Sequence, residues 1–194
     1  MRRLCLVPLL SCFACGPQPS TPDAGDSCRG AAKSPQNLLT NPGFDCAEPT
    51  AWQGIYGTFE TVSGGRSGNA GKLTVGAAGG RFALRAPAVL DGLGQSYCVR
   101  AWVHGTAPIV RTVLLADHGG GGTEARFAEP LTSDWKYTPP SSGLELAVPP
   151  GAKLQLFFEV DSVAGSPTKA NVGDVVFVDD VDVWVSSDRC RETR

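Results

Sequence analysis

From Asn37 onward, apolar and polar residues alternate with a two-residue period, and helical periodicity is almost absent. The clearest runs are Ser96 to His104, Ile109 to Asp117, Glu124 to Phe127, Trp135 to Thr138, Lys153 to Val160 and Val175 to Val185. Weaker ones are Thr58 to Val62, Lys72 to Val75 and Arg81 to Ala86. In the first run Tyr97, Val99, Ala101 and Val103 share one face, and Cys98, Arg100, Trp102 and His104 share the other. In Lys153 to Val160, Leu154, Leu156, Phe158 and Val160 alternate with Lys153, Gln155, Phe157 and Glu159. The 24 glycines and 15 prolines cut the chain into short pieces, which favours strands over helices. About ten short strands between Gly/Pro turns predict an all-β fold, two antiparallel sheets packed as a sandwich.

Composition refines this picture in three ways. At 194 residues and 42% hydrophobic content, the chain makes one domain with a real core plus flanking segments. A net charge of −2 leaves no basic surface for nucleic acid. The first 16 residues read as an export signal: Arg2 and Arg3 form a positive head, and Leu4 to Leu10 is an apolar run too short to span a bilayer. Its end, Leu9-Leu10-Ser11-Cys12 followed by Phe13-Ala14-Cys15-Gly16, resembles a bacterial lipobox. Cys12 is the preferred acylation site, with Cys15 as the alternative, and an ordinary cleaved signal is the competing reading. Residues 17–36 form a Pro/Ser/Gly tether, 37–186 the β-domain and 187–194 a C-terminal tail. The expected setting is the bacterial cell envelope, on the outer membrane or surface, with a membrane contact through the lipid anchor.

Four cysteines remain beyond the signal: Cys28, Cys46, Cys98 and Cys190. An even count in an oxidising compartment implies two disulfides, with three pairings open. Cys28 precedes the first strand and Cys190 follows the last. If those strands lie side by side, the expected bonds are Cys28–Cys190 and Cys46–Cys98.

Asn37-Leu38-Leu39-Thr40-Asn41-Pro42-Gly43-Phe44-Asp45, with Trp52 soon after, resembles the opening of carbohydrate-binding modules of families 4, 9 and 22. The same group carries a turn like Arg66-Ser67-Gly68-Asn69 and a strand like Tyr97-Cys98-Val99-Arg100-Ala101-Trp102-Val103. A Trp-led strand like Trp135-Lys136-Tyr137 and a closing Asp179-Asp180-Val181 complete the ordered set. The resemblance implies a jelly-roll β-sandwich of the galactose-binding-like type, a structural calcium, and glycan binding without catalysis. The Gly119 to Gly122 run and the Ser162 to Asp174 loop depart from that pattern.

Calcium takes oxygen ligands, mixing carboxylates with backbone carbonyls. By resemblance these are the Gly43 carbonyl, the Asp45 carboxylate, carbonyls in the Arg66 to Gly68 turn, and Asp179 or Asp180. Counting from Val181 and Val183 puts Asp179 inward and Asp180 outward, so Asp179 is preferred. The plainer alternative is that these acids cap turns and pair with Arg66 or Lys72. For a glycan, the expected surface is one concave sheet carrying Trp102 and Phe157, with Arg100, His104, Gln155 and Glu159 alongside and Tyr56 at the rim. Trp135 and Trp52 are expected to pack.

Enzyme readings find little support. His118-Gly119-Gly120-Gly121-Gly122 resembles an esterase oxyanion loop, but the chain has no Gly-x-Ser-x-Gly elbow. Gly65 to Lys72 is one residue longer than a P-loop and is followed by Leu73 instead of Ser or Thr. With two histidines, His104 and His118, no zinc motif is recognisable. The expectation is a monomeric, non-catalytic, lipid-anchored module that binds polysaccharide or cell-wall glycan. The alternatives are a structural or adhesive sandwich that contacts a protein, or an accessory module of a glycoside hydrolase system.

Overall fold

The computed structural model describes residues 37–39, 41–46, 52–77, 81–86, 89–91, 94–119, 121–140, 142–161, 163, 165–186 and 190. The signal, the tether, Cys12, Cys15 and Cys28 lie outside the described residues. Among those described, twelve strands are formed: β1 (Gln53–Ile55), β2 (Thr58–Gly65), β3 (Gly68–Thr74), β4 (Arg81–Arg85), β5 (Val89–Asp91), β6 (Gln95–Gly105), β7 (Ile109–Asp117), β8 (Gly122–Pro130), β9 (Lys136–Thr138), β10 (Leu144–Val148), β11 (Lys153–Asp161) and β12 (Val175–Val185). One sheet has the order β1-β4-β11-β7-β8, with β5 also on β11; the other has β10-β6-β12-β3-β2, with β9 also on β6. The observed pairings are antiparallel.

The alternation explains the packing. Leu154, Leu156, Phe158 and Val160 of β11 are buried together with Val110, Leu114 and Ala116 of β7 and Phe82 and Leu84 of β4. Across the interior they meet Tyr97, Val99, Ala101 and Val103 of β6 and Val176, Val178, Val181 and Val183 of β12. Each buried Val, Leu or Phe among them contributes about 1.5–3 kcal/mol before chain entropy is counted. The strands foreseen as β6, β7, β11 and β12 form as expected. The short strands β1, β5 and β10 were not foreseen, and β8 runs well beyond Glu124 to Phe127 at both ends.

The start and end of the sandwich lie together. The Leu38 N–H donates to the Val183 carbonyl (2.8 Å), and the Val181 N–H donates to the Pro42 carbonyl (3.1 Å). The Asn37 side chain closes the contact, accepting from the Val183 N–H at 3.0 Å and donating to the Val181 carbonyl at 2.7 Å.

The disulfide expectation is overturned. Cys98 is bonded to Cys190, 92 residues away, so neither Cys28–Cys190 nor Cys46–Cys98 forms. The first segment does lie beside β12, but β6 lies on its other side, and the chain after Val185 turns towards β6. The Ser186 N–H donates to the Ser96 carbonyl (2.7 Å) and the Gly143 N–H to the Cys190 carbonyl (3.4 Å). Cys190 is thereby brought to Cys98, whose register partner on β12 is Trp184. Cys46 is also disulfide-bonded.

Candidate functional site

Trp102 and Phe157 were expected on one sheet, and the structure separates them. Trp102 is on β6 and Phe157 on β11, so each faces away from the core on opposite sides of the sandwich. Alternation identifies the non-core side of a strand but not the sheet to which the strand belongs. The expected patch therefore divides: Arg100, Trp102 and His104 on one outer face, Gln155, Phe157 and Glu159 on the other.

On the Phe157 face, register aligns side chains in rows across five strands. One row runs Gln53–Arg85–Phe157–Val113–Arg126, and the next runs Ile55–Ala83–Glu159–Arg111–Ala128. Phe157 is half-buried, and among the described residues no aromatic ring or cation stacks on it. The polar groups around it are held by one another. Arg126 pairs with Glu124 (2.6 Å), Arg111 with Asp161 (3.1 Å), the Gln155 amide donates to Asp117 (3.4 Å), and Arg85 donates to the Gln53 side-chain carbonyl. Asp161 is held below the usual carboxylate range, chiefly by the Val163 N–H, with bonds from Arg111 and Ser166 adding to it. One Glu159 carboxylate oxygen is buried without a hydrogen-bond donor among the described residues.

The other outer face is filled by its own side chains. The Arg66 guanidinium lies 4.0 Å over the Trp102 ring, and the Tyr137 ring is 4.9 Å from it. Arg100 is buried between Tyr137 (5.0 Å) and Trp184 (4.9 Å). His104 stacks on Phe177 at 4.4 Å, with Trp135 edge-on at 4.2 Å, and burial lowers its pKa. Trp135 packs as expected, and so does Trp52, which is buried against Phe44 with its indole N–H donating to the Asn41 carbonyl (3.3 Å). Tyr56 belongs to neither face. It is 71% exposed in the turn between β1 and β2.

The acids meet at a third place. Phe44, at φ 58°, buries its ring against Gly71, where a Cβ would come within 2.5 Å of it. That plug presents Asp45 to the β2–β3 hairpin, where its carboxylate accepts from the Asn69 N–H (2.8 Å). On β12 the register slips between Asp179, opposite Trp102, and Asp182, opposite Arg100. The bulge places Asp180 at φ 46° and breaks the alternation, so Asp179 and Asp180 are both buried. The expected outward Asp180 is thus corrected. Asp179 accepts from the N–H groups of Arg66 (2.7 Å), Ser67 (3.2 Å) and Asp180 (2.7 Å). Asp180 accepts from the Arg66 guanidinium and the Ser67 hydroxyl, both at 2.7 Å. Burial pushes Asp179 up to about 6, the neighbouring Asp180 charge adding to it and the backbone bonds opposing it.

Oxygens of Asp45, Asp179 and Asp180 lie 3.2, 3.7 and 3.9 Å from where a Cβ on Gly43 would stand. These hard oxygen donors suit calcium in kind. Among the described residues no three acids, histidines or cysteines make a metal centre by themselves, so a cation here would draw on backbone carbonyls as well.

Sequence reasoning missed Arg85, Gln53, Arg111 and Arg126. The signal was partly present, because Arg81 and Arg85 alternate with buried Phe82 and Leu84.

No family model matches the chain, and no curated protein sequence matches it. Solved structures do. The module TmCBM61, in complex with β-1,4-galactotriose, is 20% identical over 78% of this chain and 99% of its own, with a TM-score of 0.52. The CBM22-1 xylan-binding domain of Paenibacillus barcinonensis Xyn10C is 11% identical over 78% of this chain and 93% of its own, with a TM-score of 0.53. The enzymatically active domain of bacteriophage CBA120 tailspike protein 4 is 16% identical over 77% of this chain, with a TM-score of 0.55; the chain spans 21% of it. At these identities the likeness establishes the fold: this chain is an all-β, two-sheet sandwich of the kind seen in carbohydrate-binding modules.

Proposed function

We propose that the sandwich is a non-catalytic glycan-binding module whose ligand lies across the β1-β4-β11-β7-β8 face, with a sugar ring on Phe157. The observation that carries this is the half-buried Phe157 ring, on which no ring or cation of the described residues stacks, flanked in register by Arg85 and the buried Val113 with polar side chains around it. Sugars present apolar ring faces edged by hydroxyls, so they call for an aromatic plane with donors and acceptors around it. The glycan named with TmCBM61 and the xylan named with the CBM22-1 domain agree with this choice of ligand. Trp102 loses the leading role given to it from the sequence, because Arg66 already lies on its ring. The histidines support a non-catalytic reading: His104 is stacked on Phe177 with Trp135 edge-on, and His118 is exposed on a hairpin.

The test is calorimetric titration of soluble polysaccharides against the protein. Phe157→Ala should weaken binding by roughly tenfold or more, about 1.4 kcal/mol, while the melting temperature falls by no more than about 4 °C. Trp102→Ala should lower the melting temperature and leave affinity intact in the fraction that folds. Loss of binding in a folded Trp102→Ala protein, with Phe157→Ala behaving as wild type, would move the ligand to the opposite face.

The acid cluster belongs to the same proposal as a structural calcium site. Asp45 and Asp179, with Asp180 and the backbone carbonyls of Gly43, Arg66 and Gly68, would hold the ion. Bound calcium supplies positive charge to buried carboxylates. The convergence at Gly43 and the raised pKa of Asp179 support it, while Arg66 already shares the charge of Asp180. In the envelope setting, acylation at Cys12, or at Cys15, would tether the sandwich through residues 17–36. A protein-contacting role is favoured by one observation: Tyr56 and Val172, 71% and 69% exposed, flank the same strand end at Val75–Gly76.

A further inference from the structure

On the Phe157 face, every charged side chain of the described residues but one has a partner of the other sign, either across the strands or along its own strand. Register places Lys153 across from Asp117, Arg111 across from Glu159, and Arg81 across from Asp161. Arg126 is ion-paired with Glu124. Arg85 is the exception. Its cross-strand neighbours are Gln53 on β1 and Phe157 on β11, both neutral, and among the described residues its side chain donates to the Gln53 amide oxygen alone. A guanidinium has five N–H donors in a planar fork that matches a carboxylate, and most of this fork remains open. A guanidinium with no acid directly opposite it therefore stands beside the half-buried Phe157 ring.

We propose that the glycan taken by this face is acidic, a uronate-bearing polysaccharide, with a sugar ring on Phe157 and its carboxylate on Arg85. The inference rests on the glycan reading above and adds the chemical class of the ligand. Directly opposed cross-strand side chains have Cβ atoms about 4.5–5.5 Å apart, close enough for one sugar unit to touch both. Arg85 then acts as a specificity residue: a neutral sugar can stack on Phe157 but leaves the fork unpaired.

The test compares polygalacturonate with its fully methyl-esterified form, which keeps the backbone and removes the charge, using the full chain at low salt. The free acid should bind roughly tenfold tighter or more, as expected for a charge-assisted pair. That gap should narrow in about 0.5 M NaCl, where an exposed ion pair is screened. Arg85→Ala should bring the two polymers to equal affinity without shifting the melting temperature. Arg85→Lys should keep the salt dependence with a smaller preference, since an ammonium lacks the fork.

Equal binding of acid and ester by the wild type, or a preference that survives in Arg85→Ala, would overturn the assignment. Binding of dextran sulfate without polygalacturonate would replace carboxylate by sulfate and so overturn the uronate class. If ester and acid bind equally and Phe157→Ala abolishes both, the glycan reading stands and only the acidic class is lost. If no polymer binds, acidic or neutral, both fall.

Discussion

The two outer faces of the sandwich arise from the same alternation, yet on one the aromatic rings are stacked by arginines and on the other the central ring carries no such partner among the described residues. On the β6 side, Arg66 and Arg100 lie on the rings of Trp102, Tyr137 and Trp184, and the tail is fastened to Cys98. On the β11 side, Phe157 is half-buried among ion pairs, with no ring or cation of the described residues stacked on it. The β6 face has more aromatic residues and is the weaker candidate for a ligand. An aromatic plane offers a binding surface only when nothing already rests on it, so an aromatic count is a poor guide to a sugar site.

The comparison can be broken most severely at the tail. Removing the Cys98–Cys190 bond with Cys190→Ser should cost about 4–5 kcal/mol, the loop-entropy value for a closure of this length. Denaturant unfolding would measure it, and a loss below 1 kcal/mol would mean the β6 face holds without its tail. Next in size is Trp102→Ala, at about 3 kcal/mol, the low end for truncating a buried Trp because this ring is half-buried. On the β11 face, Phe157→Ala should cost under about 1 kcal/mol by the same measurement. Equal losses at the two positions would erase the distinction between the faces.

Chelation tests the third region. If calcium is present at about 100 times its Kd, removing it should lower the melting temperature by roughly 5–10 °C. The pH dependence of the chelated protein has a definite sign. The folded pKa of Asp179, about 6, lies above the ordinary 3.8, so its protonated form favours folding. That contribution is full below 3.8 and is lost as pH rises through about 6. The chelated protein should therefore lose stability over this window, and calcium should suppress the loss; no pH difference between the two forms would remove the ion from Asp179.

The smallest effect is expected at His104. Burial lowers its folded pKa from 6.5, so its contribution is full above 6.5 and falls away as pH drops through the lowered value. His104→Phe, which keeps a ring against Phe177, should flatten the melting temperature between about pH 7 and 5. An unchanged slope would place the acid sensitivity elsewhere.

The fold was legible where strands are long. Ile109–Asp117 and Val175–Val185 were read at their observed bounds because branched residues recur every second position. Val89–Asp91 and Leu144–Val148 are too short to establish a period. The candidate site was legible in part: Phe157, Gln155 and Glu159 were identified on a non-core face, but grouped with Trp102, Arg100 and His104. Sheet membership depends on how distant strands cross, and the β6 and β11 patterns hold no sign of that. The Asp179–Asp180 error has a local cause, since a bulge shifts the phase that the count relied on. The cysteine pairing failed for the same reason as the sheet assignment, because Cys190 is placed by β6 rather than by the first strand.

The contact between Leu38 and Val183 has a consequence beyond packing. Because the sandwich is entered and left at neighbouring hydrogen-bonded positions, its two ends could be joined by a short linker and reopened elsewhere. The β7–β8 hairpin around His118 and Gly119, exposed and distant in sequence from both, offers the new opening. Such a circular permutant should retain both sheets, and the same adjacency would let the whole module sit inside a loop of another protein without prising its host apart.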